Sequence, residues 1–241
     1  MKEKGAFKFK EFEVEHSRSS MKVGVDAVLL GAWINCEGAR QILDVGTGCG
    51  IISLILAQRF PNANIIGVDI DVDSVEEANL NFERSLWSDR LTAVLQEFPK
   101  DFDKDMEKYD LIVSNPPYFN SGIVSPISPR EKARHQDSLS PITLIRNVKK
   151  LLTPTGKLAM IFPSEFREDI LEESVKKDLY LQRICQVRDN NRRPIKRVMV
   201  EIGPQEYAQV LEEELTLFEA SDKREPTVSY RELCYPFYLK F

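Results

Sequence analysis

Apolar positions along this chain fall into short continuous runs that alternate with segments of helical spacing. Residues 41–45 form the first run, and a Gly-rich turn leads from it into an apolar stretch, 51–59, that reads as a helix. Residues 65–69 predict a second strand. Residues 73–86 have helical spacing, with Asp73 or Ser74 as cap and Glu76 and Glu77 in the first turn. Further strands are predicted at 91–95 and 110–114. A helix over 139–152 is expected to stop at Thr153-Pro154-Thr155-Gly156, ahead of a fifth strand at 157–162 and a helix at 164–178. Two closing strands, 181–187 and 197–202, flank an Arg/Pro turn. This order predicts an α/β fold, a mostly parallel seven-stranded sheet with helices on both faces. Ligands then sit at the carboxyl ends of the strands. Residues 1–36 lie outside the alternation, with an apolar helix near 25–33, and are expected to cover that ligand end. Residues 206–241 read as a carboxy-terminal extension of one domain spanning 1–241, with a possible strand at 215–218 and an aromatic-rich end read as packing.

Composition narrows the class. At 241 residues, 42% apolar and 29% charged, the chain fits a soluble domain with a full core. No apolar run approaches the ~20 residues needed to cross a bilayer, and Met1-Lys2-Glu3-Lys4-Gly5 lacks a signal peptide's apolar stretch. Cys36, Cys49, Cys185 and Cys234 have no metal-ligand spacing, and only His16 and His135 accompany them, so neither a metal nor a membrane partner is expected. A reducing cytoplasm is the simplest setting. The net charge of −5 argues mildly against nonspecific nucleic-acid binding. Three local basic clusters argue the other way: Lys2 to Lys10; Arg130, Lys132 and Arg134; and Arg188, Arg192, Arg193, Lys196 and Arg197. Each alone reads as solvated surface; together, flanking a candidate centre, they point to a polyanion.

Two constellations carry chemistry. The first is Leu43-Asp44-Val45-Gly46-Thr47-Gly48-Cys49-Gly50, joining the first strand to the first helix. Its glycines allow a sharp turn and close approach of a ligand, and the helix that follows offers free N–H groups. Asp44, inside the strand, suits an ammonium group. The Gly-x-Gly-x-Gly spacing differs from the dinucleotide fingerprint. Asp69, at the end of the second strand, can accept both ribose hydroxyls, with Asp71 a nearby competitor. Glu97 follows the third strand where an acceptor would meet an adenine amino group, and Gln96 competes for that contact. An adenosine carrying an amino acid matches all three acids, so the cofactor expected is S-adenosylmethionine.

The second constellation is Ser114-Asn115-Pro116-Pro117-Tyr118, a strand ending in an abrupt turn. A side-chain amide, backbone carbonyls and a flat ring suit a planar exocyclic nitrogen. Asn115 and the Pro116 carbonyl would each accept one N–H, and Tyr118 would stack on the ring, with Pro117 shaping the turn. The plainer reading is a Pro-rich turn.

With these motifs in hand, the chain resembles the Rossmann-like class I methyltransferases that modify nitrogen. Phe7-Lys8-Phe9-Lys10, Met21-Lys22-Val23-Gly24-Val25-Asp26 through Trp33, Ser128 through Arg134 and Pro236-Phe237-Tyr238-Leu239 are similar, in order, to the bacterial tRNA(Val) adenine-N6 methyltransferase family. The resemblance implies methylation of adenine-37, beside the anticodon, with tRNA as partner. It places Lys22, Asp26, Asp44, Gly46, Thr47, Gly48, Gly50, Asp69, Glu97 and Asn115 at the cofactor. Glu97 stands where the family usually has Asp. Arg130, Arg134, Arg192, Arg193 and Arg197 are the candidate RNA contacts. The rivals are a protein glutamine-N5 methyltransferase, an rRNA guanine-N2 methyltransferase and a non-catalytic RNA-binding module.

Overall fold

A computed structural model describes residues 6–19, 22–103, 107–117, 139–221 and 224–241. A small antiparallel hairpin, β1 (Phe7–Lys8) and β2 (Glu13–Val14), precedes helix α1 (Val25–Trp33). The α/β repeat then runs β3 (Gln41–Val45), α2 (Ile51–Arg59), β4 (Asn64–Asp69), α3 (Val72–Glu83), β5 (Leu91–Leu95) and β6 (Tyr109–Ser114). It continues with α4 (Pro141–Val148), β7 (Leu152–Pro163), α5 (Arg167–Lys176), β8 (Tyr180–Arg188), β9 (Ile195–Gly203), β10 (Leu211–Thr216) and α6 (Val228–Cys234).

The central sheet has eight strands in the order β10-β8-β9-β7-β6-β3-β4-β5. Only β9 runs antiparallel to its neighbours. The seven expected strands are present, and the eighth is β10, paired with β8 from Leu211 to Thr216. The expectation placed a strand at 215–218 instead. Glu212, Glu213 and Glu214 make this stretch look like a loop, but an edge strand needs only backbone partners and one buried face, here that of Leu215.

Alternation within each strand builds two cores. On β3, Ile42 faces one layer and Leu43 the other; on β6, Leu111 and Val113 face the first and Ile112 the second. The first layer includes α1 and α2, with Val28–Leu30 and Leu54–Leu56 fully buried. The second contains Leu144, Ile145 and Val148 of α4 and Ile170 of α5. An apolar run buried on nearly every side explains why α1 shows no amphipathic pattern: all seven residues from Ala27 to Trp33 are buried.

Two boundaries differ from expectation. The predicted helix 139–152 gives way earlier, at Val148, to a short 3-10 turn over Lys149–Leu151. Residues 153–156 then belong to β7 rather than to a loop. Tyr109 pairs with Leu152 and Leu111 with Lys157, so the Thr-Pro-Thr-Gly stretch is the extra length of a bulge. The cap of α3 is Asp71, not Asp73 or Ser74; its Oδ2 accepts from the Ser74 amide at 3.1 Å and the Ser74 hydroxyl at 2.7 Å.

Candidate active site

The site is assembled where β3, β4 and β6 end side by side. Val113 of β6 is opposite Asp44 of β3, which is opposite Gly67 of β4. Asn115 therefore leaves the sheet beside Gly46. Ser114 is buried and fixes this departure by donating its hydroxyl to the Val45 carbonyl at 2.7 Å. Beyond it, Pro116 is buried while Asn115 and Pro117 are half-buried.

Asp44 is fully buried. Its Oδ2 accepts hydrogen bonds from Thr47 Oγ1 at 2.8 Å and Ser53 Oγ at 2.7 Å, while its Oδ1 is buried with no hydrogen-bond partner among the described residues. Burial pushes the carboxyl up to about 6, against the opposing pull of the Ser53 and Thr47 hydroxyls. A half-satisfied buried acid is costly unless a cation or donor approaches it.

The loop from Gly46 to Gly50 is wound by three positive φ angles, 73° at Gly46, 55° at Gly48 and 80° at Gly50. Gly46 and Thr47 both donate to the Val68 carbonyl, at 2.8 and 3.1 Å, which pins the loop over β4. Gly50 and Gly48 differ in purpose. A Cβ on Gly50 would sit 2.4 Å from the Phe82 ring, so glycine there permits close packing on α3. A Cβ on Gly48 would meet nothing within 4 Å among the described residues, so that glycine faces space they leave open. The Gly48 amide donates to Asp69 Oδ2 at 2.9 Å, and the Asp71 amide to Asp69 Oδ1 at 3.0 Å. Burial raises the Asp69 carboxyl, and those amides pull it back. Asp71 is occupied in capping α3, which leaves Asp69 as the acid turned to the loop.

Glu97 lies just past β5. Its amide donates to Asp101 Oδ2 at 2.6 Å and its carboxylate meets Lys100 at 2.6 Å. Gln96 sits closer to the loop, its amide donating to the Asp69 carbonyl at 3.0 Å. Lys22 is exposed ahead of α1. Asp26 has an internal partner, Arg197, whose Nε lies 2.5 Å from its Oδ1; burial raises the Asp26 carboxyl and Arg197 opposes the shift. Arg197 also lies 3.5 Å from Asp189. Arg197, one of the candidate RNA contacts, is thus already paired with two carboxylates. A half-buried guanidinium shared by Asp26 and Asp189 ties α1 to β9. Arg192 and Arg193 are exposed in the turn between β8 and β9, at the same rim of the sheet. Tyr118, Arg130 and Arg134 lie outside the described residues.

Sequence reasoning missed Ser53, Glu77 and Asn81. Ser53 had a signal, as the lone hydroxyl in Ile51-Ile52-Ser53-Leu54; it is fully buried on Asp44. Glu77 and Asn81 looked like ordinary helix surface, yet both are buried. Among the described residues no three His, Cys, Asp or Glu side chains are grouped to hold a metal, and no helix is long and apolar enough to cross a membrane.

The profile of a family described as "Methyltransferase domain" matches residues 37–214. A Vibrio vulnificus (strain YJ016) protein is 38% identical over 241 residues, covering 100% of this chain and 98% of its own. A Trichodesmium erythraeum protein is 42% identical over 199 residues, covering 82% and 83%. A Parabacteroides distasonis protein is 38% identical over 234 residues, covering 97% and 98%. All three are named tRNA1(Val) (adenine(37)-N6)-methyltransferase. Among solved structures, a predicted O-methyltransferase from Agrobacterium tumefaciens superposes with a TM-score of 0.67 at 16% identity over 88% of this chain and 96% of its own. A Pyrococcus furiosus methyltransferase gives 0.57 at 19% over 79% and 88%. The structures establish the class I methyltransferase fold alone. The sequence relatives, two of them matching nearly end to end, establish more: this chain belongs to the tRNA1(Val) (adenine(37)-N6)-methyltransferase family.

Proposed function

We propose that this protein transfers a methyl group from S-adenosylmethionine to N6 of adenine 37 in tRNA1(Val), in the anticodon loop, in the cytoplasm. The observation that carries the proposal is the adjacency of two unlike ends. A buried acid, Asp44, with one oxygen unpartnered among the described residues, sits one residue before the end of β3 and opposite Val113 of β6, and an Asn-Pro-Pro turn follows the end of β6. The residues fit the cofactor. Asp44 Oδ1 suits an ammonium group, Gly48 leaves open space for close approach, and Asp69 has lone pairs left for hydroxyls. For the adenine end of the cofactor, Gln96 is nearer the loop than Glu97, whose carboxylate is engaged by Lys100.

When bound, the cofactor supplies a methyl group activated by a positive sulfonium. The chain's own task is to prepare the amine. An adenine N6 lone pair is delocalised into the ring, so the amine must be held out of plane; no strong base is required, because the methylated, cationic nitrogen is acidic enough to give its extra proton to water. The Asn115 side-chain oxygen and the Pro116 carbonyl would each accept one N–H and aim the lone pair at the methyl group. These acceptors stabilise the positive charge that develops on nitrogen more in the transition state than before it. Tyr118 would stack on the extruded base, and a single-stranded loop makes that extrusion cheap. Arg130, Arg134, Arg192 and Arg193 are the proposed phosphate contacts. A glutamine amide or a guanine N2 would suit the same acceptors; the relatives' shared name favours adenine in tRNA.

The test is methyl transfer from labelled S-adenosylmethionine to bulk tRNA from cells lacking the enzyme, followed by nucleoside mass spectrometry. N6-methyladenosine mapped beside the anticodon of a valine tRNA is expected. Label only in ribosomal RNA or in protein glutamine would keep the Asn115 chemistry and overturn the substrate.

A further inference from the structure

The buried face of α3 carries two polar side chains one turn apart, Glu77 at 2% and Asn81 at 1% exposure. Neither belongs to the acid-and-glycine set that would touch the cofactor, and each is fully employed. Glu77 gathers successive amides of the amino-terminal segment: Oε1 accepts from the Ser17 amide at 2.7 Å and the Arg18 amide at 2.8 Å, and Oε2 from the Ser19 amide at 2.8 Å. The Ser17 hydroxyl adds a longer bond at 3.3 Å. Consecutive N–H groups turned inward make an anion-binding nest, here filled by the chain's own carboxylate.

Asn81 spans two partners remote from each other in sequence. Its Nδ2 donates to the Glu15 carbonyl at 2.9 Å and to the Cys49 carbonyl at 2.8 Å; its Oδ1 accepts from the Glu15 amide at 2.9 Å. Cys49 is the loop residue between Gly48, whose amide sits on Asp69, and Gly50, whose α-carbon rests against Phe82 of the same helix. The face of α3 is thus the bed of the glycine loop, and the amino-terminal segment is fastened to that bed rather than to the sheet.

We propose that Glu77 and Asn81 are positioning residues for the methyl donor, holding residues 15–19 and the Cys49 carbonyl in one arrangement so that the loop is set before the cofactor arrives. This rests on the reading of the loop as the S-adenosylmethionine site and deepens it. A loop set in advance binds without a prior ordering cost; a loosened one binds only in the fraction of molecules that happen to be ordered.

Calorimetric binding of S-adenosylhomocysteine tests this, at a temperature where circular dichroism shows each variant folded. Asn81→Ala and Glu77→Ala should weaken binding roughly ten- to a hundredfold. In steady state the loss should appear in KM for S-adenosylmethionine, with kcat at saturation within about threefold of the original protein. Glu77→Gln keeps one oxygen for the Ser17 and Arg18 amides but turns its NH2 toward the Ser19 amide, so it should recover only part of the affinity and bind more tightly than Glu77→Ala. Ser17→Pro removes two donors to Glu77, the amide and the hydroxyl, without altering α3 and should weaken binding several-fold. It decides the question with Glu77→Gln if the alanine variants do not fold. Affinity within twofold of the original in the folded variants, or an equal fall in kcat and kcat/KM, overturns the inference while leaving the cofactor reading intact. Failure of the unaltered protein to bind S-adenosylhomocysteine overturns both.

Discussion

The two ends of this sheet hold charge in opposite ways. Toward the amino ends of the strands, beneath the last turn of α1, the buried Glu201 accepts the Asn35 amide at 2.7 Å and lies 3.1 Å from Lys157 and 3.6 Å from Arg183. Arg183 grips Glu213 with two bonds, at 2.8 and 3.0 Å, and stacks 4.2 Å over Trp33. Trp33 in turn donates to Glu213 at 2.7 Å. Each of these four charges, Lys157, Arg183, Glu201 and Glu213, has a counter-charge within the chain. At the carboxyl ends, Asp44 faces repulsion from Asp69 and Asp69 from Asp71, both Asp44 and Asp69 are raised by burial, and one oxygen of Asp44 has no hydrogen-bond partner among the described residues. Equal burial with unequal satisfaction separates an end built for stability from one built to receive a ligand.

The largest effect belongs to the carboxyl end. Asn115→Ala should lower kcat by roughly a hundred- to a thousandfold, since it removes an acceptor that strengthens as the nitrogen gains charge. The fold and S-adenosylhomocysteine affinity should stay near those of the unaltered protein. Single-turnover methyl transfer to tRNA checks it, and near-normal turnover would remove Asn115 from the chemistry.

At the amino end the prediction inverts. Glu201→Gln leaves Lys157 and Arg183 short of a buried counter-charge, a loss of about 3 kcal/mol and roughly 6–12 °C in Tm. Cofactor affinity should not move. A calorimetric melt with a binding titration on the same sample reads both; weakened binding at unchanged stability would erase the contrast between the ends.

Asp44→Asn sharpens it from the other side. The amide keeps an acceptor for Thr47 and Ser53 but cannot answer an ammonium, so cofactor affinity should fall roughly ten- to a hundredfold. Without cofactor, the variant should be at least as stable as the original at pH 7, because it discards an unpaired buried charge. A large drop in Tm would mean that Asp44 is a structural acid like Glu201.

How much of this was legible beforehand depends on the range of each interaction. β3, α2 and β5 could be placed to the residue, because their apolar runs end at turns written in the same few positions. Gly46 to Gly50, Asp69 and Asn115 were legible for the same local reason. The capping role of Asp71 was misassigned by two or three residues, within ordinary fraying of helix starts. What could not be read are bonds between distant segments. Asn81 meets Glu15 across 66 positions, Trp33 meets Glu213 across 180, and Arg197 meets Asp26 through the fold alone. Composition marked Arg197 as part of a basic cluster; only the topology shows that two acids already hold it.

The smallest effect is also the most specific, since it depends on a proton at one atom. The unfolded chain keeps the Asp44 carboxyl near its ordinary 3.8, and folding raises it to about 6. The folded, cofactor-free protein therefore holds that proton more tightly than the unfolded chain. The resulting stability, about 3 kcal/mol at most, is fully present below pH 3.8 and lost as pH rises through 6. Cofactor binding runs the other way. An ammonium group meets the ionised carboxylate, so affinity for S-adenosylhomocysteine should climb about tenfold per pH unit up to 6 and level off above it. Asp69 is also raised, but its partners are loop amides, and it remains in Asp44→Asn, whose profile isolates its share. Titrations from pH 5 to 7.5 should give a steep limb in the original protein and a nearly flat one in the variant. A flat limb in both would place the ammonium away from Asp44 and make the carboxyl end, like the amino end, indifferent to its buried acid.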